Sequence, residues 1–173
     1  MFRQARPGDL DQIAAIYDHI LDQEEAGLST VGWQRGVYPT RQTAAAAIAA
    51  GDMFVAEEDG VILAAARINQ EQVPEYAQAA WTTDPPPAEV MVLHTLVVEP
   101  QAKGRGVGSR FVAFYEDYAK AHGCRHLRMD TNQRNAAARA LYARLGYGEV
   151  SIVSCVFNGI AGVKLVCLEK ILP

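Results

Sequence analysis

The sequence has no apolar run long enough to cross a membrane, no surplus of basic residues and very little cysteine, and each shortage removes a class of function. No segment approaches the roughly twenty apolar residues of a membrane helix, and Met1-Phe2-Arg3-Gln4-Ala5-Arg6 lacks the hydrophobic region of a signal peptide. No membrane partner is expected, and a cytoplasmic location is the default. A net charge of −4 gives the bulk surface no attraction for nucleic acid or anionic lipid. No strongly acidic tract is present to receive a basic protein tail. Cys124, Cys155 and Cys167 are odd in number, lie in apolar segments and show no Cys-x-x-Cys spacing, so buried free thiols are expected rather than disulfides or a metal site. What remains is a chain of 173 residues, 50% of them apolar, enough for one sizeable core spanning residues 1–173 with no sign of a second.

What is present reads as short strands and helices. Residues 2–5 suit a strand, and Pro7-Gly8-Asp9 is a turn whose Asp9 can cap a helix with Leu10, Ile13, Ile16, Tyr17, Ile20 and Leu21 on one face. Gly27 ends that helix. Residues 28–39 are irregular and carry Trp33, Arg35 and Tyr38; Thr40 then caps an alanine-rich helix reaching Ala50, a thin cover for a sheet. Residues 53–57 and 61–69, joined by Asp59-Gly60, make a hairpin. Residues 70–88 form a loop holding Tyr76, Trp81 and Pro85-Pro86-Pro87, and loops of that length inside a domain commonly serve a site. Residues 90–98 form a strand, 111–121 lie in a helix, and 125–130 form a strand. A short helix capped by Asn132 or Asn135 ends at Gly146, and strands at 149–157 and 163–170 are joined through residues 158–162. The order is β-α-α-β-β-β-α-β-α-β-β.

The run Leu96-Val97-Val98-Glu99-Pro100-Gln101-Ala102-Lys103-Gly104-Arg105-Gly106-Val107-Gly108-Ser109-Arg110 takes an apolar strand through a glycine turn into a helix. Gly104, Gly106 and Gly108 permit positive φ and lack Cβ atoms, so backbone N–H groups can converge on one anion at the helix N-terminus. Lys103, Arg105 and Arg110 add charge that suits a diphosphate. A Walker loop is excluded because no lysine follows Gly108. A dinucleotide fingerprint fits poorly, since its third glycine would fall on Ser109 or Phe111, although Asp130 lies about twenty residues on, where a ribose-binding acid would be.

Lys103-Gly104-Arg105-Gly106-Val107-Gly108 resembles the coenzyme A loop, Gln/Arg-x-x-Gly-x-Gly/Ala, of the GCN5-related N-acetyltransferase (GNAT) superfamily, with lysine at the first place. Downstream, Asn135-Ala136-Ala137-Ala138-Arg139-Ala140-Leu141-Tyr142-Ala143-Arg144-Leu145-Gly146-Tyr147 is similar to that superfamily's Asn-x-x-Ala-x-x-Leu-Tyr-x-x-x-Gly-Phe/Tyr signature at every marked position. The resemblance covers the C-terminal half; the N-terminal half matches in outline. It implies an α/β (α+β) fold with a central mixed, mostly antiparallel splayed sheet flanked by helices. It further implies acetyl-CoA held by Leu96, Val97, Val98, Lys103, Gly104, Arg105, Gly106, Val107, Gly108, Ser109, Asn135 and Tyr142, and allows a homodimer through the C-terminal strands. Lys103 keeps a cation but loses the planar fork of arginine.

Acyl transfer from a thioester to an amine needs a free lone pair, stabilisation of an oxyanion and a proton for the leaving thiolate. Amines with a pKa of about 10.4 arrive protonated, so a base is required. His94, on the central strand, is the leading base, taken to project on the face of Leu96 and Val98; a histidine holds this place in the arylalkylamine branch of the superfamily. A buried strand histidine fixed by a hydrogen bond is the bland alternative. Glu89, at the start of the strand, is the runner-up. Tyr142, by its place in the motif, is the proton donor to sulfur, and the Val98 N–H is an oxyanion donor, as the resemblance implies. Asn135 suits a helix cap and a cofactor contact equally, and the two roles can coexist. Trp33, Tyr38, Tyr76 and Trp81 are candidates for an aromatic acceptor wall. The function expected is direct acetyl transfer to a small-molecule amine, with no metal; a coenzyme A-binding sensor without catalysis and a nucleotide-binding module are the competing readings.

Overall fold

A computed structural model describes all 173 residues. The elements follow in the order β1 (Phe2–Gln4), α1 (Leu10–Glu25), α2 (Arg41–Ala49), β2 (Met53–Glu58), β3 (Val61–Asn69), β4 (Val90–Val98), α3 (Val107–Ala121), β5 (His126–Asn132), α4 (Ala136–Arg144), β6 (Gly148–Phe157) and β7 (Ile160–Ile171). The strands form one mixed sheet in the order β1-β2-β3-β4-β5-β7-β6. Only β4 and β5 run parallel; every other neighbouring pair is antiparallel.

Each sheet face is covered by an apolar stripe. On one side α1 buries Ile13, Ile16, Tyr17 and Ile20 against Val55, Ile62, Ala65 and Val97, with Ala44 and Ala47 of α2 beside them. On the other, α3 buries Phe111, Val112 and Tyr115 against Ala64, Ile68, Met91 and Leu127. The Tyr115 hydroxyl donates to Met91 O at 2.6 Å and lies 3.3 Å from Arg128 O, fastening α3 across the β4–β5 seam.

Local chemistry sets the boundaries. The Thr40 side chain accepts from Thr43 N and caps α2. Asp9 does not cap α1; its carboxylate takes the Arg3 guanidinium at 2.7 and 2.9 Å and Arg6 N at 2.7 Å, binding the chain start to the turn. The final hairpin is tighter than expected: Asn158 (φ 50°) and Gly159 (φ 78°) supply the paired left-handed residues of a two-residue turn, so β7 begins at Ile160. Cys124 and Cys167 are buried free thiols, whereas Cys155 is half-buried. No helix is long and apolar enough to cross a membrane.

Two irregularities in β4 shape the centre of the molecule. Thr95 has φ 52°, and the register with β3 passes from Arg67↔His94 to Ala65↔Val97, so β4 carries an extra residue there, a β-bulge. The parallel ladder to β5 runs from Val90↔His126 to Leu93↔Met129 and stops, while β5 stays paired with β7 as far as Asn132↔Leu165. Beyond Leu93 the sheet therefore splays.

Candidate active site

The splay leaves one edge of β4 open. Glu99 N donates to Leu63 O at 2.8 Å and so points at β3. Successive N–H groups along a strand alternate in direction, which aims the Val98 N–H into the gap. A groove of about 460 Å³ runs along this edge, lined by Leu96, Val97 and Val98, by the glycine turn and the start of α3, and by Asn135, Leu141 and Arg144.

At the turn, Gly104 (φ 82°) and Gly106 (φ 72°) adopt left-handed backbone, and Gly106 precedes the first residue of α3. The amides of Gly104, Gly106, Val107, Gly108 and Ser109 have no backbone acceptor; the first intrahelical bond is Arg110 N to Gly106 O. Gly108 serves differently from expectation. It sits inside α3 with helical φ, and a Cβ there would lie 3.3 Å from Leu141 Cδ2, so its role is the close approach of α3 to α4. Lys103 and Ser109 line the groove, but Arg105 does not: Arg105 and Arg110 are both ion-paired to Glu58. Arg144, not anticipated from the sequence, lines it beside Leu141. Asn135 both caps α4, accepting from Ala138 N at 3.2 Å, and lines the groove with its amide nitrogen unpaired.

The groove is continuous with a cavity at the point of splay, sharing Val31, Trp33, Leu96, Asn135 and Ala138, and that cavity adds Tyr38, Thr95, Asp130 and Tyr142. Through Tyr38, Thr95, Asp130, Phe157 and Asn158 it opens into a further cavity of about 420 Å³ on the α2 side, bounded by Tyr17, Ala46, Ala47, Ala50, Arg67 and His94.

Asp130, which the sequence offers only as a ribose-binding acid, stands at the junction. It lies away from the glycine turn. Its Oδ2 accepts from the Tyr76 hydroxyl at 2.7 Å; burial pushes its pKa up to about 6, partly countered by that hydrogen bond. The available signal was an acid in an apolar strand whose neighbours Leu127 and Met129 are core. Tyr142 is 6% exposed, donates to no protein group, and burial raises its pKa above the ordinary 10, so it is a neutral phenol.

The other expected residues divide. His94 lines the α2-side cavity, but not on the face of Leu96 and Val98. The bulge at Thr95 interrupts alternation, so His94 shares the face of Val97, while Leu96 and Val98 pack with α3 and α4. Its Nε2 meets Asn69 Oδ1 at 3.0 Å, and Asn69 Nδ2 donates to Asp52 at 2.7 Å, which fixes Nε2 as the protonated nitrogen. Burial first, then Arg67, pushes the His94 pKa down to about 4. Glu89 does not join the site. It is exposed, in a short turn before β4, at the end of that strand remote from the splay. Trp33 and Tyr38 line the cavity, Tyr38 bonded to the Thr95 hydroxyl. Tyr76 and Trp81 do not. Tyr76 is buried behind Asp130, and the Trp81 ring lies under the Arg128 guanidinium at 4.1 Å with Nε1 donating to Tyr76 O.

Comparison with known proteins agrees with this architecture. A family model described as the acetyltransferase (GNAT) family matches residues 13–147. An uncharacterized N-acetyltransferase of Bacillus subtilis, YhfO, is 37% identical over 60 residues, covering 35% of this chain and 40% of that protein. The match thus spans well under half the length of the curated relative. Among solved structures, a GNAT-family acetyltransferase from Streptococcus agalactiae superposes with a TM-score of 0.84 at 22% identity, covering 100% of this chain and 95% of that one. The yncA protein of Salmonella typhimurium, solved with its cofactor acetyl-CoA, superposes with a TM-score of 0.72 at 19% identity, covering 100% and 94%.

Proposed function

This chain belongs to the acetyltransferase (GNAT) family, and from that premise we propose that it transfers an acetyl group from acetyl-CoA to the primary amine of a small molecule, by direct attack in a ternary complex. The observation that carries the reading is the junction itself: a half-buried carboxylate, Asp130, and a neutral phenol, Tyr142, line the cavity where the open β4 groove meets the α2-side cavity.

The groove fits acetyl-CoA by its donor set. The unpaired amides of Gly104, Gly106, Val107, Gly108 and Ser109, with Lys103 and Arg144 on the same groove, suit a diphosphate, and the open β4 edge suits an extended amide-bearing arm. Bound there, acetyl-CoA supplies the activated acyl carbonyl and a thiol leaving group. The Val98 N–H faces the gap as a donor to a carbonyl oxygen. Asp130, ionised at neutral pH, draws in an ammonium and takes its proton. In an enclosed site burial lowers the affinity of the amine for that proton and raises that of the carboxylate, so the transfer becomes less uphill. Tyr142 gives its proton to the departing sulfur and regains one from the second N–H proton that the nitrogen loses as the amide forms. His94, held near pKa 4 and bonded through Nε2, is a weaker base than Asp130 and serves as a polar wall of the acceptor cavity. No cysteine need take part, because burial pushes the Cys124, Cys155 and Cys167 thiols up, away from the thiolate form.

A cavity of about 420 Å³ walled by the alanines of α2 supports a small acceptor over a protein tail. Incubation with acetyl-CoA and a panel of primary amines, read by mass spectrometry, tests the reading. An acetylated small molecule is expected. Tight binding of acetyl-CoA with no product from any amine would favour a coenzyme A-binding sensor instead.

A further inference from the structure

The 70–88 loop was expected to border the acceptor, yet its two aromatic residues turn away from the cavity and toward the back of Asp130. Tyr76 is 2% exposed and its hydroxyl donates to Oδ2 of Asp130 at 2.7 Å. The other carboxylate oxygen has no protein partner and belongs to a residue lining the cavity. Tyr76 is itself held from several directions. Trp81 Nε1 donates to its carbonyl at 2.9 Å, the two rings meet edge to face at 5.0 Å, and the loop is pinned by Ala80 N to Ser151 Oγ and Thr82 N to Glu169 Oε1.

The remaining groups around Asp130 give its charge no help. Tyr38 from the α1–α2 connection, Glu75 from the loop, Tyr142 from α4, Cys155 from β6 and Cys167 from β7 are neutral or anionic at neutral pH. His94, across the cavity from β4, is neutral as well, and Arg67 of β3 is already engaged by Asp52 and Glu71. Tyr76 therefore supplies the one protein hydrogen bond to this half-buried carboxylate.

We propose that Tyr76 is a positioning residue for the reaction: by donating to Oδ2 it stabilises the ionised Asp130 and turns Oδ1 to the acceptor, with the 70–88 loop as the brace that holds it. The inference rests on Asp130 being the base. Removing the donor leaves burial unopposed, so the carboxylate holds its proton to higher pH.

The test is the pH profile of kcat/KM, which reports the ionisation of the free enzyme. Tyr76→Phe, which keeps the ring, is expected to move the acid limb up by about one pH unit or more, with the rate recovering toward the wild-type plateau at alkaline pH. Site-specific 3-fluorotyrosine at position 76, a stronger donor of nearly the same shape, is expected to move the limb down, and it serves if the phenylalanine variant does not fold. Asp130→Asn separates the two levels of the argument. If it leaves the acid limb in place, Asp130 is not the base and the role of Tyr76 falls with it. If it abolishes the limb while both Tyr76 replacements leave the wild-type limb unmoved, Asp130 stands and the positioning role of Tyr76 is overturned.

Discussion

Asp130 and His94 face the same cavity with opposite titration penalties, and their signs can be read in stability as well as rate. The folded pKa of Asp130 is raised to about 6 from 3.8, so its contribution favours the fold at acid pH and is lost as pH rises from about 4 through 6. That of His94 is depressed to about 4 from 6.5, so its contribution is present above 6.5 and lost as pH falls through 4. Between pH 4 and 6.5 the two nearly offset. Asp130→Asn should therefore raise the melting temperature at pH 7, where ionising this half-buried carboxylate costs on the order of 2 kcal/mol. The same variant should lose stability as pH falls from 6.5 to 4, because the His94 term is then unmasked; a melting temperature flat across that range would refute the assignment. On rate, Tyr142→Phe should lower kcat by about 10²-fold or more with acetyl-CoA affinity unchanged, the signature of a lost acid. His94→Ala should cost much less than Asp130→Asn. Tyr142 was legible because it sits inside a motif. Asp130 was not, because an acid in a strand reads as solvated until the neighbouring strands are seen to bury it.

At the scale of elements, the segment between α1 and α2 is a strap across the splay. Val31, Trp33 and Tyr38 line the central cavity, and on the solvent side Arg35 holds Asp18, Asp22 and Glu25 of α1 at 3.1, 2.6 and 2.9 Å. These pairs are exposed and individually weak, but one guanidinium spanning three carboxylates of a helix fixes where the strap lies. Arg35→Ala should raise KM for both acetyl-CoA and the amine several-fold with kcat little changed, and about 0.5 M salt should reproduce part of that effect in the wild type but not in the variant. The glycine turn gives a sharper contrast. Gly106→Ala forces a side chain into φ 72° beside the unpaired amides, and should weaken acetyl-CoA binding by about tenfold or more in calorimetry. Gly108→Ala has helical φ and meets only the tip of Leu141, so its loss should be smaller. The order of elements was readable from periodicity and turn residues, and the Asp59-Gly60 hairpin fell where they put it. The bulge at Thr95 left no mark in the residue pattern, and that single extra residue is why the face assigned to His94 was wrong.

For the molecule as a whole, the splay that makes the site also makes a seam. Within the sheet, β1 to β4 meet β5, β7 and β6 only through the short ladder from Val90↔His126 to Leu93↔Met129, with α3, whose Tyr115 reaches both sides, and the 70–88 loop bracing the join. The groove is lined from both halves, by Leu96 to Ser109 on one side and by Asn135, Leu141 and Arg144 on the other. A ligand filling it replaces the missing strand-to-strand contacts, so binding should stabilise the seam as well as the native state. At a hundredfold excess over its dissociation constant, acetyl-CoA should add about 2.7 kcal/mol to unfolding. Amide exchange should slow at 96–98 and 104–109 and also at 135–144, on the far side of the seam. NAD and ATP share the diphosphate but lack the arm that lies along β4, so they should protect the turn weakly and leave 96–98 and 135–144 exchanging as in the free protein. Equal protection by NAD would mean that the turn alone carries recognition, and the open edge of β4 would then need another purpose.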